Sequence, residues 1–457
     1  MLLPHPDRDR SPQRIALTGA NGGYGRTFLA QLACTPEILP AVLVDPDVDG
    51  VRTMLADLGL DYRAELSDSP QRTAEIVRGG GIALVTSIDA IAWEVLDVLV
   101  EACGKVPHGT AYAATALEND THVVMVSKEV DTVAGVALHA RAAAASLSYL
   151  PGDGDQPANL LRLLDWVSAV GLDIVAIGKA GEYDLHFDPA TCTVTQAGES
   201  IDAPALRDLL ALGEDVPATL AARAEAVAPL KRAAAADSCE MTVVAMRTGT
   251  VADVESMHYP VARIDELADI YAAREHGGLL MADGAVDVFS ALRLPGEASF
   301  AGGVFAVIRT GDPVTWETLR GKGHVISRDG RYACLYWPYH YMGVETPLTV
   351  HAAADRAPAL PARATTVLAA RTVRDLPAGT QLAVAGHHHE IDGVAPVMLP
   401  ASTEATAYYL LDGARLLRDV PAGELIHESD VEGIDPLARD LHYEGRELTT
   451  TENTTKE

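Results

Sequence analysis

Short apolar runs alternate with helical spacing through the first third of the chain, and together they predict strands and helices in turn. Ile15, Ala16 and Leu17 suit a parallel strand covered on both faces. Residues 41–44 and 82–85 repeat that pattern. Residues 51–58 and 67–77 carry helical spacing, the second opened by Ser69 and Pro70. Residues 91–103 and 112–119 read as amphipathic helices, and 122–126 as a further buried strand. This alternation predicts an α/β fold with a doubly wound Rossmann sheet over residues 1–150.

Beyond residue 150 the pattern changes. A loop at 153–157 leads into a helix over 158–170, with Leu160, Leu163, Leu164 and Val167 on its apolar face. Pro157 fits its first turn and Asp155 its N-cap. A strand follows at 173–177, then an alanine-rich stretch over 190–236 with a linker and a helix at 220–227. Residues 237–246 read as a helix, 277–307 as short strands with frequent glycine, and 335–341 as an aromatic strand. The residues from His351 onward predict a helix returning to the first domain. A central α+β domain is therefore expected over 151–355.

Two later segments repeat each other. Arg374-Asp-Leu-Pro-Ala-Gly and Arg418-Asp-Val-Pro-Ala-Gly lie 44 positions apart, each a proline–glycine turn between short strands. They predict a small β-rich module over 356–440. His387, His388 and His389 lie between them and are expected in an exposed loop, since adjacent side chains alternate in direction. Residues 441–457 are polar and threonine-rich and are expected to be disordered.

Composition narrows the function. The 457 residues suggest about three domains, and 48% hydrophobic content gives ample core. A net charge of −29 argues against nucleic acid and against an anionic membrane surface. It leaves room for a small-molecule substrate, even a phosphorylated one held in a local basic pocket. Five scattered cysteines form no disulfide framework or zinc motif. The polar N-terminus has no apolar signal region and no apolar run reaches spanning length, so a cytoplasmic location is expected.

The chemistry concentrates at strand ends. Gly19, Gly22 and Gly25 form G-x-x-G-x-x-G after the first strand, with Asn21, Gly23 and Tyr24 completing the turn. Such a turn lets backbone approach a pyrophosphate, and the helix start that follows supplies free N–H groups. Asp45 ends the second strand, 20 positions after Gly25, where an acid binds the ribose hydroxyls of NAD. Asp47 and Asp49 would repel a 2′-phosphate, which favours NAD over NADP, although Arg52 could swing in. Thr86 and Ser87, after the third strand, either line the nicotinamide side or cap the next helix.

Two lysines close apolar strands. Lys128 follows residues 122–126, and Lys179 follows 173–177 between Gly178 and Gly181. Either could hold a substrate oxygen. The alternatives are salt bridges, to Glu129 or Asp131 for Lys128 and to Glu182 or Asp184 for Lys179. Glu240 is one acid on an apolar helix, so it is either paired with a lysine or handles a proton. His340 is a proton-transfer candidate or a packed, hydrogen-bonded histidine.

These motifs occur in a familiar order: the glycine turn, Ser127-Lys128-Glu129, Gly154-Asp155-Gln156-Pro157, Gly178-Lys179, Glu240-Met-Thr-Val-Val and Trp337-Pro-Tyr-His340. The chain resembles the homoserine-dehydrogenase-like NAD(P)-dependent oxidoreductases with a C-terminal SAF (β-clip) domain. That family includes proteins similar to 1-deoxy-D-xylulose 5-phosphate reductoisomerase. The resemblance implies a central catalytic and dimerisation domain, a homodimer or higher homo-oligomer, and hydride transfer to or from a small oxygenated carbonyl or alcohol. It implies roles near the hydride for Lys128 and Lys179, with Asp155 and Glu240 as acid candidates. A reductoisomerase would add a skeletal rearrangement and a divalent metal, whose ligands the sequence leaves unknown. A non-catalytic cofactor-binding or carbohydrate-binding protein is the remaining alternative.

Overall fold

The computed structural model describes residues 11–60, 64–357 and 359–454. Residues 1–10, the start of the stretch read as lacking a signal region, lie outside them, as do the last three residues of the expected disordered tail. Among the described residues no helix is long and apolar enough to cross a membrane.

The first sheet has seven strands: β1 (Gln13–Thr18), β2 (Ile38–Val44), β3 (Ala64–Leu66), β4 (Ile82–Val85), β5 (Val98–Glu101), β6 (His122–Met125) and β7 (Tyr149–Pro151). Their order is β3-β4-β2-β1-β5-β6-β7 and every pairing is parallel. Chain direction across the sheet reverses at β1, which lies between β2 and β5. In such sheets ligands bind beyond the strand ends at that reversal. Helices α1 (Gly23–Leu32) and α2 (Val48–Asp57) cover one face, where Ile15 and Leu17 pack with Phe28, Leu29 and Val51. Helices α3 (Pro70–Arg78), α4 (Val106–Glu118) and α5 (Lys128–Ala144) cover the other, where Ala16 packs with Ile76 and Val130. The alternation along β1 is the two-residue strand period expressed in two cores.

The helix expected over 91–103 is not formed. Val98, Leu99 and Val100 are fully buried in β5, between β1 and β6. A β-branched run covered on both faces gains more as a central strand than as a surface helix.

The second sheet has ten strands around β8 (Asp173–Ala180). This strand pairs in parallel with Ala285–Arg293 and antiparallel with Val304–Arg309. Helices α6 (Gln156–Ala169) and α8 (Ala235–Thr248) pack on one face, where Leu160, Val167, Met241 and Val244 meet Ile177 and Val288. Between them in sequence lies α7 (Val216–Ala226). The stretch expected to include a linker opens with a meander, Leu185–Asp188, Thr193–Gln196 and Glu199–Asp202. Its last turn is Ala197-Gly198, with φ of 49° and 88°. Two positive φ values give a twist-matched hairpin turn, hidden because alanine stands where asparagine is usual.

The repeated turns build the third unit, around a four-stranded sheet that includes Thr366–Thr372 and Val394–Pro400. The two copies grip each other reciprocally. Ala422 N–H donates to Asp375 at 2.8 Å, and Ala378 N–H donates to Asp419 at 2.7 Å. Leu376 and Val420 exchange backbone hydrogen bonds of 2.9 and 2.8 Å. The histidine loop is only partly exposed as expected. His387 and His388 lie against Glu182, and His389 hydrogen-bonds buried Glu129. This loop therefore fastens the third unit to the other two.

The tail expected to be disordered forms the helix Pro436–Thr454. Ala438, Leu441, His442 and Thr449 are buried at helical spacing along α5. A Cβ on Gly445 would come within 2.9 Å of the Val136 Cβ, so the absent side chain sets the approach. A polar composition conceals a stripe of small and apolar residues three or four apart. Replacing Gly445 with leucine is expected to cost about 1–3 kcal/mol through overpacking, seen as a lower midpoint in thermal denaturation, whereas Glu447→Ala on the exposed side should leave it unchanged.

Candidate active site

The glycine turn lies where the chain direction reverses. Gly19 has φ of +64°, and a Cβ there would stand 2.4 Å from the Ala102 carbonyl at the end of β5. A Cβ on Gly25 would stand 2.4 Å from the Ala20 carbonyl. Both positions are closed to a side chain, which keeps the turn tight against strand and helix. Gly22 is the N-cap of α1, so the helix opens at the turn with unpaired N–H groups. Asp45 is buried at the end of β2 and accepts the backbone N–H groups of Asn21 and Asp47, both at 2.9 Å. The Asn21 side chain donates to Asp47 at 3.0 Å. These residues form a cradle that fits a dinucleotide.

Thr86 and Ser87 are exposed at the end of β4, two strands from β1 and on the β2 side. Between β1 and β6, the strand that leads to Lys128, lies β5, which the sequence reading had made helical. Ser87 also makes no capping hydrogen bond. Tyr24 turns away from the turn. Its hydroxyl hydrogen-bonds the Asp153 carbonyl at 3.2 Å and the Thr346 hydroxyl at 2.5 Å. Burial pushes the phenol far above its usual range. Tyr24 thus links the glycine turn to the loop that carries Asp155.

Lys128, Lys179, Asp155 and Glu240 come together as one cluster. Lys128 is the first residue of α5, at the positive end of the helix dipole, where a cation is disfavoured unless compensated. Compensation comes from Glu240 at 2.7 Å and Asp155 at 3.7 Å. Lys179 shares the face of β8 with Ile177 and points at α8. There Asp237 and Glu240 are one helical turn apart. Lys179 donates to Asp237 at 2.7 Å and to the second oxygen of Glu240. Glu240 therefore bridges two lysines. Neither lysine takes the salt-bridge partner considered from sequence: Glu129 holds His389, Asp131 holds Arg247, Glu182 holds His387, and Asp184 holds Arg293.

Exposure divides the cluster. The side chains of Lys128 and Asp155 are 20% and 15% exposed, while Lys179 is at 1% and Glu240 at 3%. Asp155 stands at the N-cap position of α6 but makes no capping hydrogen bond, leaving its carboxylate to Lys128. Its loop is pinned by Thr349 Oγ1, which accepts from Asp153 N–H at 2.7 Å, and by Arg162, whose Nε donates to Asp153 at 3.0 Å.

Burial raises the Asp155 carboxyl to about 6, opposed in part by Lys128. Burial also raises Asp237, against the pull of Lys179. Glu240 goes the other way: burial opposes its charge, but Lys128 and Lys179 together hold its carboxyl down at about 2. Burial disfavours the charge on Lys128, yet Asp155 and Glu240 keep it protonated well above the ordinary lysine range. The arrangement is a fixed charged pair, Lys128 and Glu240, beside a carboxyl able to exchange a proton near neutrality.

His340 stands just past the strand Tyr332–Trp337. Burial lowers the basicity of its imidazole, so the ring is neutral at neutral pH. Its Nδ1 is buried with no hydrogen-bond partner among the described residues. A Cβ on Gly302 would lie 2.4 Å from the ring and 2.9 Å from the Gln156 amide, so that glycine makes room for both.

Two groups escaped the sequence reading. Asp237 starts the helix that carries Glu240, and its spacing of three residues from Glu240 was the available signal. Glu101, at the end of β5, is fully buried, with Oε1 accepting from Thr18 at 3.1 Å and Cys103 N–H at 3.0 Å. It was hidden by the helical reading of its strand. Among the described residues no group of three or more His, Cys, Asp or Glu side chains is placed to hold a metal ion.

Residues 227–346 match the family described as oxidoreductase DRL, catalytic domain. That span includes Asp237, Glu240 and His340. The family so described is one of oxidoreductases. No curated protein matches the chain. Among solved structures, a DOX-P reductoisomerase in complex with magnesium is 18% identical, covering 37% of this chain and 46% of that one, with a TM-score of 0.27. A dehydrogenase from Chromobacterium violaceum is 17% identical over 39% and 46%, with a TM-score of 0.26. A dipicolinate-bound dihydrodipicolinate reductase from Paenisporosarcina sp. TG-14 is 12% identical over 76% and 94%, with a TM-score of 0.33. The chain spans about half the length of the first two.

Glu240→Gln removes the charge between two buried cations. It is expected to cost about 3–5 kcal/mol, measured as a lower unfolding midpoint at pH 7. Because the folded carboxyl lies below its ordinary 4.5, the stabilisation it gives is present above that pH and is lost as pH falls toward about 2. The difference between wild type and variant should shrink over that window.

Proposed function

We propose that this protein is an NAD-dependent oxidoreductase that transfers hydride to or from a small oxygenated carbonyl or alcohol, with Lys128 and Asp155 in contact with the substrate. The observation that carries the reading is Glu240 held between Lys128 and Lys179, with only the Lys128 side open. A bound nicotinamide would supply or accept the hydride. Lys128 Nζ, kept protonated, donates to the substrate oxygen and stabilises negative charge developing there. Asp155 takes the hydroxyl proton during oxidation and returns it during reduction. Lys179 and Asp237 are positioning residues that fix Glu240 from behind.

NAD rather than NADP is supported by Asp45 at the ribose position, backed by Asp47. Arg52, which could have met a 2′-phosphate, pairs instead with Asp49 at 3.6 Å. Plain hydride transfer is preferred to reductoisomerisation, because Asp155, Asp237 and Glu240 are committed to lysines and do not fit a divalent ion. The homoserine-dehydrogenase-like and SAF assignments belong to this same reading, the latter supported by the reciprocal turns at Asp375 and Asp419.

Titration of protein fluorescence should show tighter binding of NADH than of NADPH, and the reverse order would remove the NAD assignment. With a turned-over substrate, the oxidation rate should rise with pH through about 6 and the reduction rate should fall, following the Asp155 carboxyl. Asp155→Asn should flatten that limb and lower kcat by roughly 10²–10⁴-fold. A pH limb unchanged in the variant would assign proton transfer to another group.

A further inference from the structure

A cavity of about 180 Å³ borders the cluster at Asp237. It is lined by Gly181, Glu182, Tyr183, Arg232, Asp237 and Ser290, among others. Its volume is below the roughly 300–1,000 Å³ of pockets for drug-sized ligands, so a short chain suits it better than a nucleotide. We infer that this cavity binds a ligand of its own, a short, uncharged polyhydroxylated carbon chain.

The first observation is Ser290. Strand alternation puts it on the face of Val286 and Val288, toward α8. It is 3% exposed, and its hydroxyl has no hydrogen-bond partner among the described residues. A buried hydroxyl left unpaired is costly, and here the free group borders open space. The second is the charge pattern. Asp237 and Glu182 present acceptors, while Arg232 presents donors and has no carboxylate partner among the described residues. Only Nη1 of Arg232 is engaged, at 2.6 Å on the Tyr259 carbonyl. Lys231, also at the rim, is taken by Glu390.

A phosphate is a dianion that only accepts hydrogen bonds, so it would meet one free cation and the carboxylates of Asp237, Glu182 and Glu199. Each hydroxyl of a polyol both donates and accepts, so it can give to Asp237 or Glu182 and receive from Arg232 or Ser290. Tyr183 offers a ring for the C–H faces of such a chain. Gly181 leaves the space open, since its nearest atoms, including Asp237 Oδ2, lie 3.9 Å from where a Cβ would be.

Binding of this ligand does not require turnover and is independent of the function proposed above. The test is isothermal titration of the full chain with erythritol, xylitol and ribitol, beside glycerol 3-phosphate and inorganic phosphate. At least one polyol should bind wild type. Ser290→Val and Gly181→Val should each weaken it tenfold or more, with NADH affinity unchanged as the check that the variants fold. Tighter binding of glycerol 3-phosphate or phosphate than of every polyol would overturn the inference. So would the absence of polyol binding, or binding that survives both substitutions. Polyol binding in a protein whose Asp155→Asn and Lys128→Ala variants keep full activity would instead overturn the reaction scheme and leave the cavity assignment standing.

Discussion

The structure depends on one carboxylate. Glu240 lies on a helix buried almost all round, and an isolated charge there would not be tolerated. Two lysines from different units meet it, Lys128 from the Rossmann side and Lys179 from the central sheet. Asp155 joins it in keeping Lys128 charged, and Asp237 joins it in keeping Lys179 charged. The shared carboxylate ties the two units together. An interaction with so much desolvation to offset is weak evidence of stability by itself. Its value is geometric: it leaves one ammonium group facing the cleft in one orientation.

The helix that carries Glu240 explains why a single contact has such reach. Helix α8 touches α5 of the first sheet, the strand Ala285–Arg293 of the second, and the strands Thr366–Thr372 and Val394–Pro400 of the third unit. At its start, Ala236 N–H donates to the His388 carbonyl, so the histidine loop holds the helix end in place. The C-terminal module therefore reaches the lysine–carboxylate cluster through backbone and through Glu129 and Glu182.

Much of this was readable in the sequence where the signal was local. Glycine spacing, an acid at a strand end and a lysine after an apolar run all report on a few neighbouring residues. They led to Gly19, Gly25, Asp45, Lys128 and Lys179. What stayed hidden was pairing at long range. Nothing near Lys179 shows that it serves Glu240 and Asp237, 61 and 58 positions away. Tyr24 sits inside a cofactor motif, yet it answers to Thr346, 322 positions on. The reading of 91–103 as a helix failed because amphipathic spacing cannot tell a short buried strand from a helix until its neighbours are known. The tail was misread for the complementary reason, since its partner α5 gives meaning to a sparse stripe of small residues.

The first sheet is not finished by the first third of the chain. The helix Thr346–Ala354 returns to lie against β5, β6 and β7, and Pro436–Thr454 closes over α4 and α5. The half built on the first sheet is thus assembled from residues 13–151, 346–354 and 436–454. Such a unit cannot be transplanted as a contiguous cassette, and it cannot complete itself until residues 436–454 are in place. Contacts of that sequence separation make folding slow, and one face of β5 to β7 stays uncovered until the helix Thr346–Ala354 packs on it.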